Sequence, residues 1–275
     1  MIRAGLDRRR CDPKGTPRMS DHISGIRSEI SWSTSSQITI FGHDLVDDLV
    51  GKVGLGDMGF LELTGRLPGP GESAMFNALT VSLVEHGMTP SAIATRLTHY
   101  GAPDSLQSAV AAGLLGLGST FVGSIEGAAR YVQEADLGGD LEAEAAKIVE
   151  PFVAARKLIP GIGHPIHKPL DPRAERLFTI LDENGLSGPQ VPLIREVARQ
   201  AGEALGKELP VNVTGAIGAI ASRLGIDWRA ARGIGVMARA VGLVGHVLEE
   251  ITNPTAPTIW REVEEAASSH HSGHA

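Results

Sequence analysis

The sequence predicts a mainly α-helical protein with a large and a small helical domain and a short N-terminal β-hairpin. Three observations lead there. From Asp44 onward almost every stretch repeats its apolar residues at helical spacing. Only one earlier segment alternates with the period of a strand. Gly, Pro and Asn-Pro then cut the chain into lengths typical of globular helices. With 34 glycines and 4% aromatic residues, those helices are expected to pack closely through small side chains.

Taken in order, residues 1–25 carry Arg8-Arg9-Arg10 but no apolar segment, so they are expected to be a disordered arm rather than a secretory signal, with Met19 as an alternative start. Ile30-Ser-Trp-Ser and Gln37-Ile-Thr-Ile-Phe flank Ser33 to Ser36 as the two strands of the hairpin. Helices are expected over 44–51, 57–65, 71–86, 90–100, 104–117, 121–136, 139–157, 172–184, 190–206, 213–223, 227–249 and 257–267. Segment 139–210 is more charged and more amphipathic than its surroundings. It is expected to form the small domain, between the 26–138 and 211–267 parts of the large one. Residues 268–275, with His270, His271 and His274, are expected to be a disordered tail.

Composition removes several classes of function. A net charge of −7 argues against a nucleic-acid surface. A single cysteine, Cys11, excludes an internal disulfide or a cysteine-based zinc site and fits a cytoplasmic location. No apolar run approaches the roughly 18 residues of a membrane span. Walker, HExxH and G-x-S-x-G motifs are absent, and Gly161-Ile-Gly163 follows a helix rather than the strand of a dinucleotide fold.

Four stretches carry candidate chemistry. Leu158 to Arg173 places two glycines, His164, Lys168 and Arg173 between two helices, with Asp171-Pro172 as an N-cap followed by Pro at the first helical position. Gly163 would let backbone approach a ligand, and the loop's N–H groups and cations suit an anion. Glu85-His86-Gly87 closes an apolar helix, where His86 is either a catalyst or a capping residue. Asn212-Val-Thr214 opens a Gly/Ala helix, as an N-cap or as part of a site. Arg239 lies in an otherwise apolar helix, where it must meet either an anionic ligand or a buried carboxylate. His246 on that helix reads as a hydrogen-bonded core residue. Imidazoles and guanidiniums without metal ligands suit carbon–carbon bond chemistry beside a thioester.

In chain order these four pieces resemble the citrate synthase superfamily, above all citryl-CoA lyases and the citrate-synthase-like module of ATP-citrate lyase, over roughly residues 55 to 250. The resemblance implies a two-domain helical fold and a homodimer formed through helices of the 104–129 region, where Gly113, Gly116, Gly118 and Gly123 lie. It implies that His86 stabilises the enolate oxygen and that His164, in Pro160-Gly-Ile-Gly-His, handles the hydroxyl or keto oxygen. Arg173, in Asp-Pro-Arg, and Arg239 would hold carboxylates. Pro160, Gly161, Gly163 and Lys168 would lie on the coenzyme A side. The CoA thioester is then substrate rather than resident cofactor, and no metal is implied. One departure stands out: the family's Asn-Val-Asp reads Asn212-Val-Thr214, so a hydroxyl replaces the acid/base at the acetyl carbon, and Thr214, through a water, would sit where the enolate carbon is reprotonated. The expectation is a lyase that cleaves citryl-CoA, or a related 3-hydroxy-3-carboxyacyl-CoA, to acetyl-CoA and oxaloacetate. The alternatives are a condensing enzyme for another acyl-CoA and 2-oxo acid, and a thioester-binding paralogue without turnover.

Overall fold

The computed structural model describes residues 27–164 and 168–274. The arm expected over 1–25, with Cys11 and Met19, lies outside the described residues. The chain divides into two units, one ending at Lys52 and the other starting at Val53.

In the first unit the hairpin is one strand longer than expected. Strands β1 (Ser31–Ser33), β2 (Ile38–Ile40) and β3 (His43–Asp44) form an antiparallel sheet in that order, with Trp32 opposite Thr39 and Ile40 opposite His43. Phe41 (φ 46°) and Gly42 (φ 84°) turn the chain back at once, which makes the third strand. The helix expected over 44–51 is therefore a five-residue π-helical turn, Leu45–Leu49. Asp44 caps it by accepting from the N–H groups of Val46 and Asp47. Gly51, at φ 77°, ends it.

The second unit holds eleven α-helices among the described residues: α1 (Leu55–Thr64), α2 (Pro70–Val84), α3 (Pro90–Gly101), α4 (Leu106–Leu115), α5 (Gly123–Glu134), α6 (Leu141–Ala154), α7 (Pro172–Glu183), α8 (Gln190–Leu205), α9 (Val213–Arg223), α10 (Trp228–Thr252) and α11 (Ala256–Ser268). Helix α9 is apolar all round, as a core helix must be, and eight of its eleven residues are buried. It packs against α5, α7, α8 and α10. The approach to α5 is closest at Gly218, where a Cβ would fall 2.7 Å from that of Ala128. Helix α6 lies on α8, and α10 runs along α2, α3, α4 and α5. Phe60 of α1 and Phe76 of α2 meet edge to face, 5.6 Å apart.

Several boundaries differ from expectation, and local features mark three of these places. Helix α6 stops at Ala154, just before Arg156 takes a left-handed φ of 54°. Helix α10 runs on to Thr252, where Asn253-Pro254 breaks it. Beyond α11 a 3-10 helix, Ser269–His274, occupies the segment expected to be structureless. Gly113, offered above to a partner subunit, is used inside the chain. A Cβ there would lie 2.1 Å from Thr95 Oγ1 of α3 and 2.7 Å from Leu243 Cδ1 of α10. Among the described residues no single helix is long and apolar enough to cross a membrane.

Candidate active site

The loop after α6 is laid onto the start of α9 by backbone contacts. Gly161 (φ 81°) and Gly163 (φ 87°) adopt left-handed conformations that a side chain would strain. The N–H of Asn212 donates to the Gly161 carbonyl at 3.0 Å and that of Gly163 to the Pro210 carbonyl at 2.7 Å. Ile162 pairs with Val211 as an isolated β-bridge, and the Asn212 side chain donates to the Gly163 carbonyl at 2.8 Å. Gly161 and Gly215 touch backbone to backbone: a Cβ on Gly161 would fall 2.4 Å from Gly215 Cα. Gly161 is thus buried in packing, and Pro160 accepts a hydrogen bond from the Tyr131 hydroxyl at 3.0 Å. The Gly163 N–H expected to face an anion is spent on Pro210. The loop's function is to deliver His164 to the α9 N-terminus.

Asp171 ties α7 to the same place. Its side chain is fully buried and accepts from the backbone N–H of Arg173 at 3.0 Å and of Val213 at 3.1 Å. It also receives Arg173 Nε at 3.1 Å and Nη2 at 2.8 Å. Burial pushes the Asp171 carboxyl up, but the Arg173 hydrogen bonds and charge outweigh it and hold the group below the usual carboxylate range. The expected N-cap is therefore also the residue that aims Arg173, whose Nη2 lies 3.4 Å from His164 Nε2.

Thr214 stands in the first turn of α9 beneath them. Its hydroxyl donates to Asn212 Oδ1 at 2.6 Å and accepts from Ser124 of α5 at 2.9 Å. Asn212 Oδ1 also caps the N–H groups of Thr214 and Gly215, both at 3.1 Å. In this arrangement the Thr214 proton points to the cap oxygen, and a hydroxyl is a far weaker base than the family's carboxylate.

From the other side come α2 and α10. Helix α2 ends at Val84. Glu85 is its C-cap, extended, and its Oε1 accepts from the N–H groups of His86 at 2.7 Å and Gly87 at 2.8 Å. His86 is exposed beyond the helix and is not the capping residue. Arg239, mid-α10, has a side chain only 11% exposed. Its Nη1 is 3.7 Å from Glu85 Oε1, too far to hydrogen-bond, and has no partner among the described residues. Arg239 thus has Glu85 as an ion-pair neighbour, half exposed and without a hydrogen bond to Nη1, so both the carboxylate and the ligand alternatives stay open for this residue.

These elements enclose a cavity of about 430 Å³ lined by His86, His164, Thr214, Arg173 and Arg239, together with Glu85 and Ser124. All five residues singled out for chemistry and carboxylate binding meet there. Lys168 does not. With Gly163 it lines a neighbouring cavity of about 490 Å³, which also carries Arg156, Lys157 and Lys207, and His164 borders both. Pro160 and Gly161 line neither. A larger, open depression between α6 and α8 contains none of these residues. Ser124 and Lys207 escaped the sequence reading because nothing local marks them. The adjacent Arg156-Lys157, just before the loop, was a signal that could have been used.

What the arrangement can do follows from its groups. Two guanidiniums converge on a small, partly closed space, where they suit carboxylates held through paired N–H donors. Two imidazoles can polarise or take protons from oxygen, and the adjoining basic cavity suits phosphates.

Comparisons with known proteins bear on the fold and the family. The solved citryl-CoA lyase of Hydrogenobacter thermophilus is 38% identical, with a TM-score of 0.77 over 84% of this chain and 89% of its own. An ATP citrate lyase from Methanothrix soehngenii, solved with citrate and coenzyme A, shares the fold at 24% identity and TM-score 0.68, over 83% of this chain and 39% of its own. Among curated proteins, a probable ATP-citrate synthase of Dictyostelium discoideum is 26% identical over 247 residues, 84% of this chain. The citrate synthase-like protein oryE of Aspergillus oryzae is 26% identical over 209 residues, 74% of this chain. This chain spans only 39% and 45% of the length of those two relatives. The fold is citrate-synthase-like and mostly helical. Residues 54–262 match the citrate synthase C-terminal domain, and on that match the protein belongs to the citrate synthase family.

Proposed function

We propose that this protein is a carbon–carbon lyase that cleaves citryl-CoA, or a related 3-hydroxy-3-carboxyacyl-CoA, to acetyl-CoA and a 2-oxo acid such as oxaloacetate. The observation that carries the reading is Arg239. A guanidinium 11% exposed, lacking a hydrogen bond on Nη1, faces the cavity that Arg173 and His164 enter from the opposite side. Desolvating a cation costs several kcal/mol unless an anion compensates, and a substrate carboxylate would do so.

In this reading Arg173 and Arg239 hold carboxylates of the acyl group. His164 accepts the tertiary hydroxyl proton as the bond to the acetyl carbon breaks, and His86 donates to the thioester oxygen on which enolate charge develops. Lys168, with Arg156, Lys157 and Lys207, meets the phosphates of coenzyme A in the adjoining cavity, and His164 lies where the two spaces meet. The likeness to a citryl-CoA lyase and to a lyase solved with citrate and coenzyme A supports the substrate class.

Thr214 favours a second reading. With its hydroxyl engaged by Asn212, no carboxylate stands at that position, as expected of a paralogue that binds the thioester without turnover. Mass-spectrometric product analysis with citryl-CoA and close analogues separates the two. Acetyl-CoA and oxaloacetate from citryl-CoA are the expected products. Tight binding of every ester with no product would establish the paralogue, and cleavage of an analogue alone would redirect the substrate.

A further inference from the structure

Behind the cavity runs a line of hydrogen bonds that the roles assigned above do not use. Arg96 of α3 is 1% exposed, and its Nε and Nη2 both face Nδ1 of His246, at 3.0 and 2.9 Å. Its Nη1 donates to Glu250 at 2.9 Å, and Glu249 pairs with Nη2. A guanidinium can only donate, so His246 Nδ1 must be the acceptor and a neutral ring carries its proton on Nε2. That Nε2 lies 3.1 Å from Glu85 Oε1. Arg96 of α3 thus acts through His246 of α10 on one oxygen of the carboxylate at the end of α2, which also accepts from the N–H groups of His86 and Gly87.

The other oxygen is different. Among the described residues no donor reaches Glu85 Oε2, which lies beside Gly242 of α10; the side chain is 48% exposed and Glu85 lines the cavity. Glu85 is the only carboxylate among the described residues of that lining. Burial pushes the group up, but the His86 N–H and the His246 contact outweigh it and hold the carboxyl below its usual range, so it is ionised at neutral pH. Removing a proton from a carbon acid needs an ionised base within reach, and Glu85 is the ionised group on this lining. Thr214 does not provide one, and Asp171 is turned away onto Arg173.

We propose that Glu85, its carboxylate aimed by the Arg96–His246 pair, is the acid/base at the acyl α-carbon of the substrate. This rests on the lyase reading and gives it the proton-transfer group it lacks. In the condensing direction Oε2 takes one α-proton from the acetyl thioester, and the C–H electron pair becomes the enolate. In the cleaving direction the C–C electron pair passes to the acetyl carbon as the tertiary hydroxyl becomes a carbonyl and gives its proton to His164. The small protonated fraction of Glu85, its proton taken from solvent, then protonates that carbon, and His164 returns its proton to solvent. Glu85 is the catalytic residue; Arg96 and His246 are positioning residues.

The test uses the full chain with acetyl-CoA and citryl-CoA. Wild type is expected to exchange the acetyl methyl protons with deuterated water and to cleave citryl-CoA. Glu85→Gln keeps an amide oxygen for the His86, Gly87 and His246 donors and removes only the ionisable atom. Exchange should fall about 10²-fold or more, with acetyl-CoA affinity and melting temperature nearly unchanged. His246→Leu should lower the exchange rate without altering KM for acetyl-CoA, and His246→Gln, which restores a donor toward Glu85, should recover part of it. Wild-type exchange and cleavage in Glu85→Gln would overturn the Glu85 assignment and leave the lyase reading standing. A wild type that binds acetyl-CoA yet neither exchanges nor cleaves would overturn both. Loss of melting temperature in His246→Leu at an unchanged exchange rate would reduce the Arg96–His246 pair to a structural role.

Discussion

Arg173 and Arg239 differ in what already holds them, and that difference is measurable. Arg173 is forked onto buried Asp171, while Arg239 has a loose carboxylate neighbour and no hydrogen bond on Nη1. Replacing Arg239 by Lys keeps the charge and loses the planar fork. Affinity for the 2-oxo acid should fall tenfold or more in titration calorimetry, with melting temperature within a few degrees of wild type. Arg173→Lys should cost both affinity and stability, because it also breaks the Asp171 fork. Asp171 carries a pH signature as well. Its folded carboxyl lies below the usual range, so the stability it contributes is present above its unfolded pKa of about 3.9 and is lost as pH falls through the lower folded value. Thermal scans from pH 5 to 2 should show that loss in wild type, and Asp171→Asn should start lower and depend less on pH over that window. Thr214 permits a gain of function. In a Glu85→Gln background, Thr214→Asp places a carboxylate at the α9 N-terminus, where negative charge is favoured. Methyl exchange should rise by an order of magnitude or more, and no rise in a folded, acetyl-CoA-binding variant would show that position 214 does not face the acyl carbon.

Among the elements, the loop from Ile159 to His164 and the first turn of α9 act as one piece. Two glycines meet where any Cβ would collide: Gly161 on Gly215 Cα at 2.4 Å, and Gly215 on the Gly161 carbonyl oxygen at 2.3 Å. Gly215→Ala should therefore lift the loop and displace His164. A stability loss of roughly 1–3 kcal/mol is expected from overpacking, with citryl-CoA cleavage falling more than the folded fraction does. Activity per folded molecule equal to wild type would show that the loop can shift without moving the imidazole. The glycines of 160–163 looked, as a sequence, like a cradle for ligand. Instead Gly161 gives room to a helix and the Gly163 N–H bonds Pro210. Nothing in the local pattern distinguishes close approach to a ligand from close approach to another part of the chain.

For the molecule as a whole, large apolar side chains remain uncovered on the single chain, among them Leu115 at 86% exposure and Leu106 at 43% on α4. A homodimer is the expected solution state, with light scattering giving twice the chain mass. Leu115→Glu should shift it toward monomer, and a monomeric wild type at micromolar concentration would leave that face to another partner. Helical period, the Asp171-Pro172 and Asn212 caps and four motifs in order were legible in the chain because each depends on neighbours a few residues away. They sufficed for a mainly helical fold and for naming His86, His164, Arg173, Thr214 and Arg239 as the residues that gather. Contacts between residues more than a hundred positions apart leave no mark in any local window. Arg96 meets His246 across 150 positions and His246 meets Glu85 across 161, so the burial of one guanidinium and the aim of one carboxylate were decided by how α2, α3 and α10 pack. The same packing engages the Thr214 hydroxyl with the Asn212 cap at 2.6 Å, a contact that the motif alone does not reveal.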